Sequence, residues 1–262
     1  MSVLLSVEHV SLALGGREIL HDMSFQVQRG ETKVILGASG SGKSTMLKLI
    51  LGLSRPDRGS IRIDGRDITH LSERELQHCC REQMAMVFQG GALFDSLTVR
   101  ENVGYRLWER HALPDADIEK VVEDNLRFVG LEDVLDKMPA ELSGGMRKRV
   151  GIARALASGA QVILYDEPTA GLDPINTCLI TRLILKLKAK HVTQIVVTHD
   201  LPTADRVADS ILMIQQGRVI FEGTAQNLQQ SQDPDVRAFI EPGSIFAHEQ
   251  DAAALTRPAI GR

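Results

Sequence analysis

The stretch that decides the fold is Gly37-Ala38-Ser39-Gly40-Ser41-Gly42-Lys43-Ser44-Thr45. It fits the pattern G-x-x-x-x-G-K-[ST] in full and carries a further glycine inside the loop. The residues before it, 31–36, predict a strand buried on both faces, and the residues after it, 46–51, predict a helix. A strand, a glycine-rich loop and a helix in that order are the context in which this pattern binds phosphate.

The residue types in this loop explain the chemistry. Glycines let the backbone take positive φ and approach a phosphate without a Cβ in the way. The loop then directs N–H groups at the anion, and the helix N-terminus adds its dipole. Lys43 supplies a point charge for the β- and γ-phosphates, and Ser44 offers a hydroxyl to Mg²⁺. The alternative is a glycine turn that matches the pattern by chance. The strand and the helix that flank the loop favour a nucleoside triphosphate site instead.

Composition limits the class of protein. The chain has 262 residues, 43% of them hydrophobic, which is ordinary for a globular protein with a real core. The formal net charge of −4 gives no pull toward DNA or anionic lipid, so we expect no nucleic-acid partner. The N-terminus lacks the pattern of a secretory signal, and no apolar run approaches a membrane span. Three cysteines (Cys79, Cys80 and Cys178) show no metal-ligand spacing and fit a reducing compartment.

The order of patterns along the chain predicts an α/β fold with a mostly parallel sheet core. Residues 1–30 and 59–65 read as an antiparallel β subdomain, with a turn at Gly15-Gly16. A capping box from Ser72 to Glu75 starts a short helix, and 84–88 reads as a buried strand. Residues 90–157 read as a helical subdomain. The core resumes with strands at 161–165 and 194–198 and helices at 176–188 and 201–208, and 210–221 closes as a hairpin.

The composition changes after about residue 240. Glu241-Pro242-Gly243-Ser244 breaks the pattern, and an alanine-rich tail runs to Arg262. We therefore predict a nucleotide-binding domain over 1–240 and a tail over 241–262. The tail is either disordered or a partner-binding segment, since Ile245-Phe246 is apolar beyond the core.

Two strand ends carry candidate catalytic groups. Asp166-Glu167 follows an apolar strand, so the first carboxylate is placed to hold Mg²⁺ and the second to polarise an attacking water. An Asp-Glu pair is otherwise a common solvated turn. His199 follows the next strand, at the sheet edge where open α/β folds bind ligands, and we interpret it as a γ-phosphate contact rather than a structural histidine.

Two further features are candidate sites. Gln89 ends the strand at 84–88 and is placed to touch the metal or the water, although a surface amide is an equally fair reading from the residues alone. Ser143 is a natural N-cap for the basic segment that follows, and Gly144 and Gly145 expose backbone N–H groups. This is a second anion site at a helix N-terminus, with a capped helix bearing a charged face as the alternative.

At this point the chain resembles the ATP-binding-cassette (ABC) ATPases over about Leu4 to Phe239. The motifs stand in that family's order: the phosphate loop, Gln89, Leu142-Ser143-Gly144-Gly145, Asp166-Glu167, Ala170-Gly171-Leu172-Asp173 and His199. The resemblance implies ATP and Mg²⁺ as ligands and a head-to-tail homodimer in which Ser143 of one subunit caps the ATP of the other. It also implies that the loop from Gly37 to Thr45 binds phosphate and metal, that Glu167 is the general base, and that Asp173 bridges subunits.

Two stretches are similar to the ATPases of Mla-type phospholipid transporters: 88–99 and Gly144-Gly145-Met146-Arg147-Lys148-Arg149. That resemblance implies an MlaE-like integral-membrane permease, a lipid-binding protein of the MCE class and room for a small accessory cytoplasmic subunit. Gln89 would couple the ATP site to the permease. The chain would then work as a peripheral protein on the cytoplasmic face of the inner membrane.

The sequence departs from the family at one position. Many members stack adenine on an aromatic residue before the first glycine turn, whereas Leu14 stands before Gly15-Gly16 here. An aliphatic contact would replace stacking, which puts tight adenine selectivity in doubt. Three functions remain open: an engine for lipid transport, the same engine on another importer or exporter, and a soluble ABC protein in translation or DNA repair. The last is disfavoured because the chain has one cassette and no long coiled-coil insertion.

Overall fold

The computed structural model describes residues 2–77, 81–111 and 113–241. The predictions for Cys79, Cys80 and the tail from residue 242 onward lie outside these residues. In chain order the elements are β1 (Val3–Leu14), β2 (Arg17–Gln28), β3 (Thr32–Leu36), α1 (Lys43–Ile50), β4 (Arg58–Ile63), β5 (Arg66–Asp67), α2 (Glu73–Leu76), β6 (Met84–Val87), α3 (Val99–Arg110), α4 (Asp115–Phe128), α5 (Gly144–Ala157), β7 (Val162–Asp166), α6 (Pro174–Ala189), β8 (Thr193–Thr198), α7 (Leu201–Val207), β9 (Ser210–Gln215), β10 (Arg218–Gly223), α8 (Ala225–Gln229) and α9 (Pro234–Ile240).

The strands form two sheets. A four-stranded antiparallel sheet has the order β2-β1-β4-β5, and a six-stranded sheet has the order β10-β9-β3-β8-β7-β6. In the larger sheet β9, β3, β8, β7 and β6 pair in parallel, and β10 adds to β9 antiparallel. This confirms the predicted α/β class with a mostly parallel core and an antiparallel β subdomain.

The larger sheet separates two hydrophobic cores. Along β3, Val34 and Leu36 pack into the core shared with the helical region, while Ile35 packs into the core beneath the antiparallel sheet. Alternate side chains of a strand point to opposite faces, so a sheet covered on both faces favours consecutive apolar residues, as at 34–36 in β3. Helix α1 lies in the second core through Met46 and Leu47.

Local signals behave largely as the sequence indicates. The β1–β2 turn uses Gly15 and Gly16 at φ +59° and +79°. Ser72 and Glu75 form the predicted capping box at α2. One expectation is wrong in detail: the strand at 84–88 ends at Val87, and Phe88 is exposed because β6 is the last strand of the sheet and its end is not covered. In the described ranges no helix combines the length and the apolar character needed to cross a bilayer.

Candidate functional site

The phosphate loop joins β3 to α1 and takes a conformation that needs its glycines. Gly40 has φ +79° and Gly42 has φ +102°. A Cβ on Gly37 would lie 2.3 Å from the carbonyl oxygen of Ile214, and one on Gly42 would lie 2.6 Å from Cδ2 of Leu20. Each glycine is therefore required by backbone conformation or by close packing.

Lys43 is held at the start of α1 and is only 5% exposed. Its ammonium donates hydrogen bonds to the carbonyl oxygens of Gly37 (2.8 Å) and Ala38 (2.9 Å). Two further observations fit a bound anion. The buried hydroxyl of Ser41 has no hydrogen-bond partner in the described part of the chain, and the first turn of α1 contains no acidic residue. The N-terminus of a helix without acidic side chains favours a phosphate.

Ser44 and Asp166 bring two oxygen ligands together. The hydroxyl of Ser44 donates to Oδ1 of Asp166 at 2.8 Å, which joins α1 to the end of β7. Mg²⁺ takes oxygen ligands and is often held by one or two protein groups together with substrate phosphates. The donor set therefore fits Mg²⁺ beside the phosphate loop.

The carboxylate of Glu167 lies between the side chains of Lys43 and His199. Its Oε1 is 3.5 Å from Nζ of Lys43, and its Oε2 is 2.9 Å from Nδ1 of His199. The carboxylate is largely buried, with 12% of the side chain exposed, whereas 53% of the His199 side chain is exposed. The backbone of Glu167 is left-handed at φ +49°, a conformation that costs a non-glycine residue about 1–2 kcal/mol. Such strain persists where the surroundings fix it, and it is often found at functional sites.

Gln89 is exposed just after β6. Val87 pairs with Tyr165, so Gln89 and Glu167 both follow the same edge of the sheet, at the carboxyl ends of neighbouring strands. The described residues show no hydrogen bond between Gln89 and Ser44 or Asp166. Within the loop, Ala38, Ser39 and Gly40 are exposed and Thr45 is half-buried.

The segment Ser143-Gly144-Gly145 starts α5 as predicted. The hydroxyl of Ser143 accepts a hydrogen bond from the Met146 N–H at 3.2 Å, and no acidic residue lies in the first turn of the helix. A Cβ on Gly145 would lie 2.3 Å from Oδ1 of Asn176, so this segment packs directly on the start of α6. In the described chain no hydrogen bond joins the segment to the phosphate loop of the same molecule.

Asp173 is the N-cap of α6 and accepts a hydrogen bond from the Asn176 N–H at 2.9 Å. Hydrogen bonds from the Asn176 backbone and side chain lower the pKa of this carboxyl. Asp173 is exposed, so its helix-capping role leaves it accessible to a second molecule.

The basic segment of α5 does not form the charged face that one reading of the sequence allowed. Lys148 is 4% exposed and donates to carbonyl oxygens of Glu167 and Ala170. Arg149 donates to the Val129 and Gly130 carbonyls, and Arg154 donates to those of Gly91 and Ala92. Sequence reasoning missed these contacts. A usable signal exists, because Lys148 follows Gly145 by three residues and so shares its buried helix face.

A cavity of about 920 Å³ opens beside the phosphate loop. It is bounded by 38–41, by the start of β2 around Ile19 and by the turn between β9 and β10. Leu14 is 52% exposed at the end of β1. The space suits the base and ribose of a nucleotide whose phosphates lie in the loop.

Comparison with known proteins identifies the family. The family profile described as "ABC transporter" matches residues 20–170. The "Intermembrane phospholipid transport system ATP-binding protein MlaF" of Haemophilus influenzae is 41% identical over 239 residues, which cover 91% of this chain and 90% of that protein. The "Probable ribonucleotide transport ATP-binding protein mkl" of Mycobacterium leprae is 38% identical over 264 residues, covering 99% of this chain and 76% of that one.

A solved structure agrees with the sequence comparisons. It is described as the dimeric, post-hydrolysis state of the ATP-binding cassette MJ0796 bound to ADP and Pi, and it superposes with a TM-score of 0.78 at 33% identity. The match covers 85% of this chain and 99% of that one. With its phosphate loop, its parallel sheet and the carboxylates at the ends of its strands, this chain belongs to the ABC transporter family and is an ATP-binding-cassette ATPase.

Proposed function

We propose that this chain binds MgATP in the phosphate loop and hydrolyses it with Glu167 as general base. The proposal rests on the position of the Glu167 carboxylate. Its oxygens lie 3.5 Å from Nζ of Lys43 and 2.9 Å from Nδ1 of His199. Lys43 and the loop N–H groups from Gly37 to Thr45 bind the phosphates. His199 contacts the γ-phosphate, and Glu167 accepts the proton of the water that attacks it, giving ADP and phosphate.

The metal would be held by Ser44 and Asp166, with Gln89 approaching it from the end of β6. Bound Mg²⁺ would neutralise charge on the β- and γ-phosphates. The 2.8 Å hydrogen bond between Ser44 and Asp166 supports this role, because it brings together the two oxygens that the metal needs.

We propose that two copies of the chain form a head-to-tail homodimer. In it, Ser143, Gly144 and Gly145 of one copy cap the ATP held by the other, and Asp173 bridges the two. The dimeric state of the ADP-bound cassette MJ0796 supports this arrangement. So does the N-terminus of α5, which offers N–H groups to an anion while forming no hydrogen bond with its own phosphate loop.

The cargo we propose is phospholipid, moved by a separate MlaE-like permease that works with an MCE-class lipid-binding protein. The similarity to MlaF, over nine-tenths of both chains, is the observation that supports it. On this proposal the chain works on the cytoplasmic face of the inner membrane. Residues 1–240 are the nucleotide-binding domain with a helical subdomain at 90–157, and residues 241–262 are a C-terminal tail.

A groove between the sheet and the helical subdomain suits the permease. Its volume is about 420 Å³, and it lies next to the loop that carries Gln89. Three aromatic side chains line it with large exposed fractions: Phe88 (39%), Phe94 (44%) and Tyr105 (41%). Exposed aromatic clusters of this kind mark interaction surfaces.

A different cargo is favoured by one observation. The Mycobacterium leprae relative carries the name of a ribonucleotide transport protein and aligns with 99% of this chain. The ATPase chemistry would be the same in either case, because the cargo is bound by the permease and its partners.

The experiment that tests the proposal is affinity purification of the tagged chain from its host membranes in mild detergent. We expect a permease, an MCE-class protein and bound phospholipid, with ATPase activity that rises when the complex is placed in phospholipid vesicles. A permease with a soluble solute receptor would retain the ATPase and overturn the lipid cargo. Ribosomes or repair proteins without a permease would overturn the transport function.

A further inference from the structure

Lys148 is a buried charge that the proposed chemistry does not use. It lies one turn into α5, after the segment that starts at Ser143, and 4% of it is exposed. Its Nζ donates to the carbonyl oxygen of Ala170 at 2.7 Å and to that of Glu167 at 3.2 Å. Burial lowers the pKa of Lys148, and the nearby charge of Glu167 opposes that shift. A lysine is seldom fully buried unless it is paired, and two carbonyl oxygens accept hydrogen bonds from two of the three donors of Lys148.

The two carbonyls belong to the two ends of one turn. The N–H of Ala170 donates to the carbonyl oxygen of Glu167 at 3.2 Å, and the N–H of Glu167 donates to Val197 on β8 at 2.9 Å. Glu167 holds a left-handed φ of +49° within this turn. The ammonium of Lys148 therefore bridges the turn that carries the strained backbone of the proposed general base.

Helix α5 connects this turn to the other anion site of the chain. Its second residue, Gly145, packs so closely on Asn176 in the first turn of α6 that a Cβ there would lie 2.3 Å from Oδ1 of Asn176. The same short helical stretch thus touches both sides of the segment from Glu167 to Asn176. A movement of the N-terminus of α5 would be passed to the main chain of Glu167 through Lys148.

We propose that Lys148 is a positioning residue for ATP hydrolysis: it fixes the main chain of Glu167 and Ala170 against α5, so that the carboxylate of Glu167 stays between Lys43 and His199. This inference rests on the proposed role of Glu167 as general base. In the described part of the chain, Lys148 donates its hydrogen bonds to Glu167 and Ala170, and none joins it to the phosphate loop. Its loss should therefore affect turnover and leave nucleotide binding by the phosphate loop intact.

The test uses the complete transporter complex and compares Lys148→Met, Lys148→Arg and the control Lys120→Met. Methionine keeps the apolar stem and removes the donors, arginine keeps a charged donor, and Lys120 is exposed on α4. We expect Lys148→Met to lower kcat at least tenfold while KM for ATP and the Kd of a fluorescent ATP analogue change less than twofold. Lys148→Arg should recover most of kcat, and Lys120→Met should match the parent.

Several results would overturn the inference. They are an unchanged kcat in Lys148→Met, an equal loss of kcat and nucleotide affinity, and no recovery in Lys148→Arg. If Lys148→Met does not fold, Lys148→Gln is measured in its place, with an expected kcat severalfold below the parent and an unchanged Kd for the ATP analogue; a parental kcat would then overturn the inference. Glu167→Gln is measured alongside. If it turns over at the parent rate, the base assignment fails, whereas an inactive Glu167→Gln with a fully active Lys148→Met removes the Lys148 inference alone.

Discussion

The imidazole of His199 and the carboxylate of Glu167 meet at the ends of neighbouring parallel strands, with Nδ1 2.9 Å from Oε2. The second carboxylate oxygen faces Lys43 at 3.5 Å. The carboxylate is therefore held from two sides, next to Lys43, the residue that we propose binds phosphate. This position suits the proposed role of Glu167, because a general base must lie within hydrogen-bond reach of the proton that it accepts.

Glu167→Gln should abolish turnover and keep ATP binding. The amide has nearly the same shape but cannot accept a proton, and general base catalysis contributes about 10²–10⁴-fold to rate. We expect phosphate release to fall by roughly 10²-fold or more. The variant should also accumulate as an ATP-dependent dimer in size-exclusion chromatography, because closure would no longer be followed by hydrolysis. Glu123→Gln, an exposed change on α4, is the control, and parental turnover in Glu167→Gln would exclude the assignment.

Lys43→Ala should weaken nucleotide binding itself. Hydrogen bonds to charged groups contribute about 1.5–3 kcal/mol, which corresponds to a loss of roughly ten- to hundredfold in affinity for MgATP. Calorimetry with the isolated chain measures this directly. Lys48→Ala removes an exposed lysine from the same helix and should leave the Kd unchanged. An unaltered affinity in Lys43→Ala would count against the phosphate-loop reading.

The sequence predicted the cluster at the sheet edge because its four members lie at or just after the ends of three strands. Lys43, Asp166, Glu167 and His199 come after β3, β7 and β8, which are adjacent and parallel. Parallel strands bring their carboxyl ends to one edge, so local patterns were sufficient to place these residues together.

The contacts of Lys148 could not be predicted in the same way. Its partners are main-chain carbonyls about 20 residues further along the chain, and carbonyl groups leave no mark in the sequence. The basic run at 147–149 is typical of a solvent-exposed helix face, but in the folded chain Lys148 is buried. The predicted burial of Phe88 is wrong for a related reason. An apolar residue next to an apolar strand is predicted to be buried, but at the end of the last strand of a sheet no neighbouring strand covers the side chain.

Gly145→Ala should destabilise the fold, although alanine favours helices over glycine by about 1 kcal/mol. The new Cβ would lie 2.3 Å from Oδ1 of Asn176, so the amide that donates to Asp173 would be displaced. Overpacking of this kind costs about 1–3 kcal/mol. Urea unfolding of Gly144→Ala is the matched control, because its Cβ would meet nothing closer than 3.8 Å. Equal stability of the two variants would contradict the packing argument.

The capping box of α3 should make the stability of the fold depend on pH in the acidic range. The Thr98 N–H donates to Oε2 of Glu101 at 2.7 Å, and hydrogen bonds from Thr98 lower the pKa of that carboxyl. A carboxyl with a lowered folded-state pKa stabilises the fold above its unfolded pKa of about 4.3 and loses that contribution as the pH falls through the folded value. The thermal midpoints of the parent and Glu101→Gln should thus differ at pH 7, and the difference should narrow as the pH falls below about 4.

Comparison with Glu123→Gln isolates the effect of the cap. Glu123 is exposed in the middle of α4, away from the helix N-terminus. The difference in thermal midpoint between Glu123→Gln and the parent should therefore not narrow as the pH falls. A difference between parent and Glu101→Gln that stays constant from pH 7 to pH 3 would mean that the charge on Glu101 contributes nothing to α3.

Arg154→Met should weaken the coupling between ATP hydrolysis and the permease. The guanidinium donates to the carbonyls of Ala92 (2.9 Å) and Gly91 (3.2 Å) and lies 5.8 Å from the ring centre of Phe94. It therefore holds the loop that follows Gln89, and one aromatic wall of the proposed docking groove, against α5. Burial lowers the pKa of Arg154, but a guanidinium stays protonated in proteins, so these donors are present at every pH of interest.

Methionine at this position keeps part of the apolar stem and leaves the two carbonyls without their donors. Since Lys43 and Glu167 do not contact Arg154, MgATP affinity should be unchanged, while the stimulation of ATPase activity by the permease should fall severalfold. Arg154→Lys keeps a positive charge but replaces the planar guanidinium fork with a compact ammonium, so it should give an intermediate ratio. The measurement is ATPase activity of the isolated chain and of the reconstituted complex. A parental ratio of the two in Arg154→Met would show that the Gln89 loop transmits nothing through α5.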